Sequence, residues 1–224
     1  MCGRYTLKTP AGDLQEELAL DDKPELKPRY NIAPSQDVAI VVSGPGRKLE
    51  WARWGLIPFW AKDEKIGYKM INARAETLAE KPAYREAVKH RRCLIPADGF
   101  YEWRKTTEGK VPVHIRRRGG RAFAFAGLWE TWKPKAGGDP VRSCTIVTSG
   151  SNALIAPFHD RMPVIVPPAR YARWLSAEPL SPDELADLAR PYPAEELEAY
   201  DVSSLVNSPK NDAPDCVAPV AAGG

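Results

Sequence analysis

Proline occupies 22 of the 224 positions, close to twice the roughly 5% of an average chain. Inside a helix each proline would remove a backbone hydrogen bond and clash with the preceding turn. Inside an inner strand it would remove a ladder donor. A chain punctuated this often is predicted to build from short strands and loops, not from a helix bundle. Apolar runs predict strands at Val38–Val42, Trp51–Trp54, Arg92–Ile95, Phe100–Lys105, Val111–Arg117, Ala122–Trp129 and Cys144–Ser149. A Thr-Thr-Glu-Gly turn joins Phe100–Lys105 to Val111–Arg117 as a hairpin.

The helical signals are few and short. Thr9-Pro10 reads as an N-cap with proline at the first helical position, and Leu14 and Leu18 mark the buried side. Ala73–Glu80 and Ala83–Lys89 read as helical on either side of Pro82, and Pro168–Ser176 likewise. Ser181-Pro182-Asp183-Glu184 is a capping box opening Ser181–Arg190. Strands and short helices interleave without regular βαβ spacing. This predicts an α+β single domain with a twisted, mainly antiparallel sheet or barrel-like core and short flanking helices. The domain is expected over residues 1–216, with a flexible tail at 217–224 and a surface loop at Lys133–Pro140.

Cys2, Cys93, Cys144 and Cys216 are far apart in sequence, and the three histidines lack metal-ligand spacing to them, so neither a metal nor a cofactor is expected. Arg4, Lys8 and Asp13 interrupt any signal-peptide core, and no run approaches a membrane span. The expectation is a cytoplasmic monomer with no membrane partner, in a compartment that keeps thiols reduced. Residues 176–224 hold ten acidic side chains against Arg190 and Lys210, a net −8; the other 175 residues hold 30 basic and 19 acidic, a net +11. A basic body suits a polyanionic partner, although a solvated surface explains the same numbers.

Cys2 is the residue with the most distinctive chemistry. Once the initiator methionine is removed, its α-amine and thiol lie two carbons apart. The amine, with a pKa of roughly 7.7–8.0, is far more available as free base than a lysine at about 10.4. The thiolate attacks acyl carbons; amine and sulfur together condense with an aldehyde into a five-membered thiazolidine. Other chemically dense segments are Trp54-Gly55-Leu56-Ile57-Pro58, Asn72-Ala73-Arg74-Ala75-Glu76-Thr77, Asp98-Gly99-Phe100-Tyr101-Glu102-Trp103 and His159-Asp160-Arg161-Met162-Pro163. Taken singly each has a bland reading. Asn72 fits a helix cap, Glu102 a solvent-facing strand position, His159 a loop histidine, Arg4 and Arg74 surface ion pairs, Trp54 and Trp103 the core.

The order Met-Cys-Gly-Arg-Tyr, W-G-L-I-P, N-A-R-A-E-T, I-P-A-D-G-F-Y-E-W and H-D-R-M-P resembles the SRAP family, the SOS-response-associated peptidases, from Cys2 to about Cys216. The resemblance implies a protein that crosslinks covalently to abasic sites in single-stranded DNA and so shields them. It implies Cys2 as the crosslinking residue, with Asn72, Glu102 and His159 around the abasic sugar as catalytic groups. Arg4 and Arg74 would hold phosphates, and Trp54 and Trp103 would pack on the nucleic acid. The enzyme class implied is lyase-type imine chemistry, with peptidase activity through Cys2 also in view. Two rivals remain at this level. One is an N-terminal-nucleophile hydrolase, since glutamine amidotransferases also begin Met-Cys-Gly, although this chain has no run like their glutamine loops. The other is a non-covalent reader of modified bases.

Overall fold

The predicted apolar runs do become strands. In the computed structural model the described residues are 2–220, apart from 43, 45 and 136. β1 (Tyr5–Leu7) leads through α1 (Ala11–Leu18) to β2 (Arg29–Ile32), β3 (Asp37–Val42) and β4 (Leu49–Trp54). β5 (Asn72–Arg74) and α2 (Ala87–His90) precede β6 (Arg92–Ala97), β7 (Gly99–Thr106), β8 (Gly109–Arg117), β9 (Phe123–Trp132) and β10 (Val141–Gly150). β11 (Arg161–Pro163), β12 (Ile165–Val166), α3 (Tyr171–Leu175), α4 (Pro182–Leu188) and β13 (Leu197–Asp201) complete the order.

Five strands close on themselves. β10 pairs with β4, β4 with β3, β3 with β6, β6 with β9, and β9 returns to β10. Ile40, Leu94, Ile95, Phe125 and Ile146 fill the core with no exposed surface. A second antiparallel sheet, ordered β13-β8-β7-β1-β2, packs beside this barrel. The fold is therefore the α+β, mainly antiparallel, barrel-like domain that the interleaving of strands and short helices predicts. Gly55, at the end of β4, has a φ of +129°, and a Cβ there would lie 2.7 Å from the Gly67 carbonyl oxygen. Only glycine permits this approach of two loops.

Tertiary pairing overrides local propensity in one instructive place. Ala73 and Arg74, predicted helical, lie on β5, because Asn72–Arg74 runs parallel to Ile146–Thr148 of β10. Only a 3-10 turn, Ala75–Thr77, remains of the expected first helix, and the second shrinks to α2. Thr9 does not cap α1; its hydroxyl donates to Asp98 at 2.9 Å. The capping box of α4 forms with both of its hydrogen bonds. β1, β2 and β13 carry no strand signal in sequence, being short or polar. Within the segment expected to be a tail, Pro219 bridges Val202 and the Val220 N–H donates to the Asp201 carbonyl at 3.0 Å; residues 221–224 lie outside the described residues. The charge halves also fold onto each other. Arg104 pairs with Asp201, Arg116 with Glu198, Arg170 with Asp187 and Arg173 with Glu184. The acidic C-terminal stretch thus neutralises part of the basic body.

Candidate functional site

The register of β1 on β7 positions the amino terminus. Tyr5 lies opposite Phe100 and Thr6 opposite Gly99, and the Tyr101 N–H donates to the Arg4 carbonyl at 3.0 Å. Carried outward two residues, that register brings Gly3 level with Glu102. Cys2 follows, fully buried. Its carbonyl accepts a hydrogen bond from Asn72 Nδ2 at 2.9 Å, across 70 residues of sequence. β5 holds Asn72 there through its pairing with Ile146. Asn72 Oδ1 is buried and, among the described residues, has no hydrogen-bond partner. A buried acceptor left in that state costs about 1–3 kcal/mol.

Burial sets the protonation states. It pushes the Cys2 thiol well up, and the negative charge of Glu102 adds to the effect. Burial also raises the Glu102 carboxyl above its usual range, opposed by the positive charge of the amino terminus. His159 is pushed down, first by burial and then by that same positive charge. Three groups from three segments therefore share one electrostatic neighbourhood. Glu102 and His159 both line a cavity of about 590 Å³, with Trp103, Phe158, Lys105 and Lys110.

His159 Nδ1 lies 2.9 Å from the Arg161 N–H and 2.7 Å from Asp160 Oδ1. A lone pair on Nδ1 satisfies the first contact and a proton the second, so the two compete. Asp160 is largely exposed, its charge screened by solvent. The lowered pKa agrees with the Arg161 contact. The neutral tautomer with hydrogen on Nε2 is the one these contacts favour. Arg161 is itself fixed, donating to Glu76 at 2.6 and 2.9 Å and to the Thr148 carbonyl at 2.6 Å.

Of the remaining sequence-derived site residues, Trp54 needs correction. It is 1% exposed, its Nε1–H donates to the Ile71 carbonyl at 2.9 Å, and Tyr5 packs edge-on against it. No face is open to a base; the residue is core. Trp103 is half-buried at the cavity, with Nε1 donating to Asn207 Oδ1 at 2.8 Å. Arg4 donates to Asn31 Oδ1 and to the Val206 and Asn207 carbonyls, which leaves two of its five N–H groups for a ligand. Arg74 is exposed at the end of β5.

Sequence reasoning missed a polar network behind the site. Asp98 is buried and accepts from the Thr6 hydroxyl, the Lys8 and Thr9 N–H groups and the Thr9 hydroxyl, at 2.5–2.9 Å. Thr6 Oγ1 also meets His114 Nε2 at 3.3 Å, whose Nδ1 meets the Tyr200 hydroxyl at 3.0 Å. Burial lowers the His114 pKa to about 3, so it is neutral. A Cβ at Gly99 would lie 2.2 Å from His114 Nε2, which is why glycine follows Asp98. The Asp-Gly pair was visible in the motif; its partners, spread over Thr6 to Tyr200, were not. Among the described residues no cluster of three potential metal ligands occurs, and no helix is long and apolar enough to cross a membrane.

Comparison with known proteins adds an independent line. The family model described as SOS response associated peptidase (SRAP) matches residues 1–209. The chain is 48% identical over 222 residues to the abasic site processing protein YoqW of Bacillus subtilis, covering 97% of this chain and 99% of that one. It is 31% identical to the abasic site processing protein HMCES of Gallus gallus, covering all of this chain and 79% of that one. A crystal structure of a Bacteroides thetaiotaomicron protein superposes with a TM-score of 0.86 at 27% identity, over 98% of this chain and all of that one.

Proposed function

The chain belongs to the SOS response associated peptidase family, and on that premise we propose that it traps abasic sites in single-stranded DNA as a covalent thiazolidine through Cys2. The observation that carries the reading is the β1–β7 register, which delivers the amino terminus to the level of Glu102, with Asn72 on the Cys2 carbonyl. The names of the relatives YoqW and HMCES, both abasic site processing proteins, support the target.

The chemistry balances without oxidant or cofactor. After removal of Met1, the Cys2 amine adds to C1′ of the opened sugar, and the resulting carbinolamine loses water to give an imine. The thiol then adds to the imine carbon and its proton passes to nitrogen. C–N and C–S bonds form, and the aldehyde oxygen leaves as water. The carbon becomes sp³ and no longer acidifies C2′, so the 3′ phosphate stays attached and the strand stays whole. Glu102, whose pKa burial raises, is the proton shuttle, giving a proton to the departing hydroxyl and taking one from the thiol. His159, as the Nε2–H tautomer, donates to the ring oxygen during opening. Asn72 Oδ1 accepts from a sugar hydroxyl. Arg74 and the remaining N–H groups of Arg4 hold phosphates, and Trp103 packs on a base. The protein acts as a single chain in the cytoplasm.

The test is the intact mass after mixing with a single-stranded oligonucleotide carrying one abasic site. The expected species is protein without Met1 plus oligonucleotide less one water, surviving heat denaturation. Glutaminase activity with no such adduct would overturn the reading in favour of the amidotransferase rival.

A further inference from the structure

The β7–β8 hairpin breaks a pairing rule beside the cavity. Its register sets Lys105 directly opposite Lys110, and both side chains line the space shared by Glu102, Trp103 and His159. Like charges facing each other across a strand pair are destabilising. Two other cations of this hairpin are neutralised, Arg104 by Asp201 and Arg116 by Glu198, and Arg117 at its far end donates to the Ala122 carbonyl. Among the described residues neither lysine has a carboxylate within ion-pair distance, and Glu108 in the intervening turn pairs with neither. The tip also outruns its neighbours. β1 meets β7 at Gly99 and Phe100, and β13 meets β8 no further along than Val113. The two exposed lysines therefore stand on a two-stranded arm at the cavity mouth. Lysines that merely blunt a sheet edge have no need to oppose one another. Positions where a sequence violates a local rule are where ligands are expected to supply the compensation.

We propose that Lys105 and Lys110 form a phosphodiester clamp, gripping one backbone phosphate of the single strand whose damaged nucleotide enters the cavity. The inference rests on the single-strand reading above. Two ammonium groups on facing strands meet the two non-bridging oxygens of one phosphate, and the anion relieves their mutual repulsion. Arg74, on β5, does not line this cavity, and three of the Arg4 N–H groups are taken within the chain.

The test is equilibrium binding of a labelled, undamaged oligothymidylate across a range of salt concentrations, which separates docking from trapping. Wild type is compared with Lys105→Gln/Lys110→Gln and with Lys23→Gln/Lys27→Gln, a control that removes equal charge from exposed positions outside the cavity. Losing one phosphate contact on a single strand is expected to lower the slope of log K against log salt by about 0.7. The clamp variant should show that fall with affinity reduced several-fold, while the control keeps the wild-type slope. At saturating abasic oligonucleotide the clamp variant should trap at the wild-type rate. An unchanged slope, or an equal fall in the control, overturns the clamp. So does a slowed trapping rate at saturation with the slope intact, since that places the lysines in the chemistry. Failure of the functional reading looks different: the wild-type protein itself would neither bind nor trap single strands.

Discussion

The two ends of one strand pairing behave as opposites. At the inner end of β1 and β7, the buried Asp98, Thr6 and His114 and the half-buried Tyr200 form a polar chain in which every group named has a hydrogen-bond partner. At the outer end, a few residues away, Asn72 Oδ1 is buried without one, and burial has shifted Cys2, Glu102 and His159 from their ordinary pKa values. Both ends are buried, so burial alone does not distinguish scaffold from site. What distinguishes them is whether hydrogen-bonding capacity is complete. A satisfied network fixes geometry, and an incomplete one leaves room for a ligand.

The largest test of this contrast is at Cys2. Cys2→Ala, or one extra residue ahead of Cys2, should abolish the heat-stable adduct, seen as loss of the shifted band on a denaturing gel. A normal adduct from either variant would break the aminothiol mechanism. Next in size is the inner end. Asp98→Ala strands the buried Thr6 hydroxyl and the half-buried donors of Lys8 and Thr9, so urea unfolding should show a loss of about 3 kcal/mol. A loss below about 1 kcal/mol would show that the network is not what seats β1.

At the outer end the effect should be kinetic. Glu102→Ala or His159→Ala should slow trapping at least tenfold, about 1.4 kcal/mol in barrier, with affinity for undamaged single strands retained. Lost affinity at unchanged trapping rate would exchange their roles. The smallest effect is in pH dependence, and it runs in opposite directions at the two ends. Glu102 has a raised pKa, so the stability linked to it is full below the ordinary carboxylate range and is lost as pH climbs through the raised value. His114 is lowered from 6.5 to about 3, so its contribution is full above 6.5 and is lost as pH falls towards 3. Melting curves should show Glu102→Gln gaining on wild type more at pH 8 than at pH 4. His114→Gln should flatten the loss of stability between pH 6.5 and 3. Parallel responses from the two variants would erase the distinction.

Much of this was legible in the sequence, for identifiable reasons. Strands such as β3, β6 and β8 declare themselves by apolar patterning, and α4 by its capping box. Cys2 is legible because its chemistry depends on position in the chain alone. What could not be read depends on contacts between distant residues. Asn72–Arg74 has a helical neighbourhood in sequence and becomes a strand only because β10 is available to pair with it. Trp54 was assigned to DNA by motif, whereas packing with Tyr5 and the hydrogen bond to Ile71 make it core. The Asp98 network is drawn from four separate segments, so no local pattern announces it.

The strand order also imposes a timetable on synthesis. β1 sits between β2 and β7, and its β7 partners are Gly99 and Phe100. The first strand can pair with β2 early, but its other edge waits until about a hundred residues have been made, which takes on the order of 5–20 s at cellular elongation rates. Throughout that interval the β7 side of the first strand stays uncovered. Once β1 docks, Cys2 has no exposed surface. On the proposed mechanism, the lag between making Cys2 and making the strand that shelters it is a window for removing Met1, and its length follows how fast the residues up to Phe100 are translated.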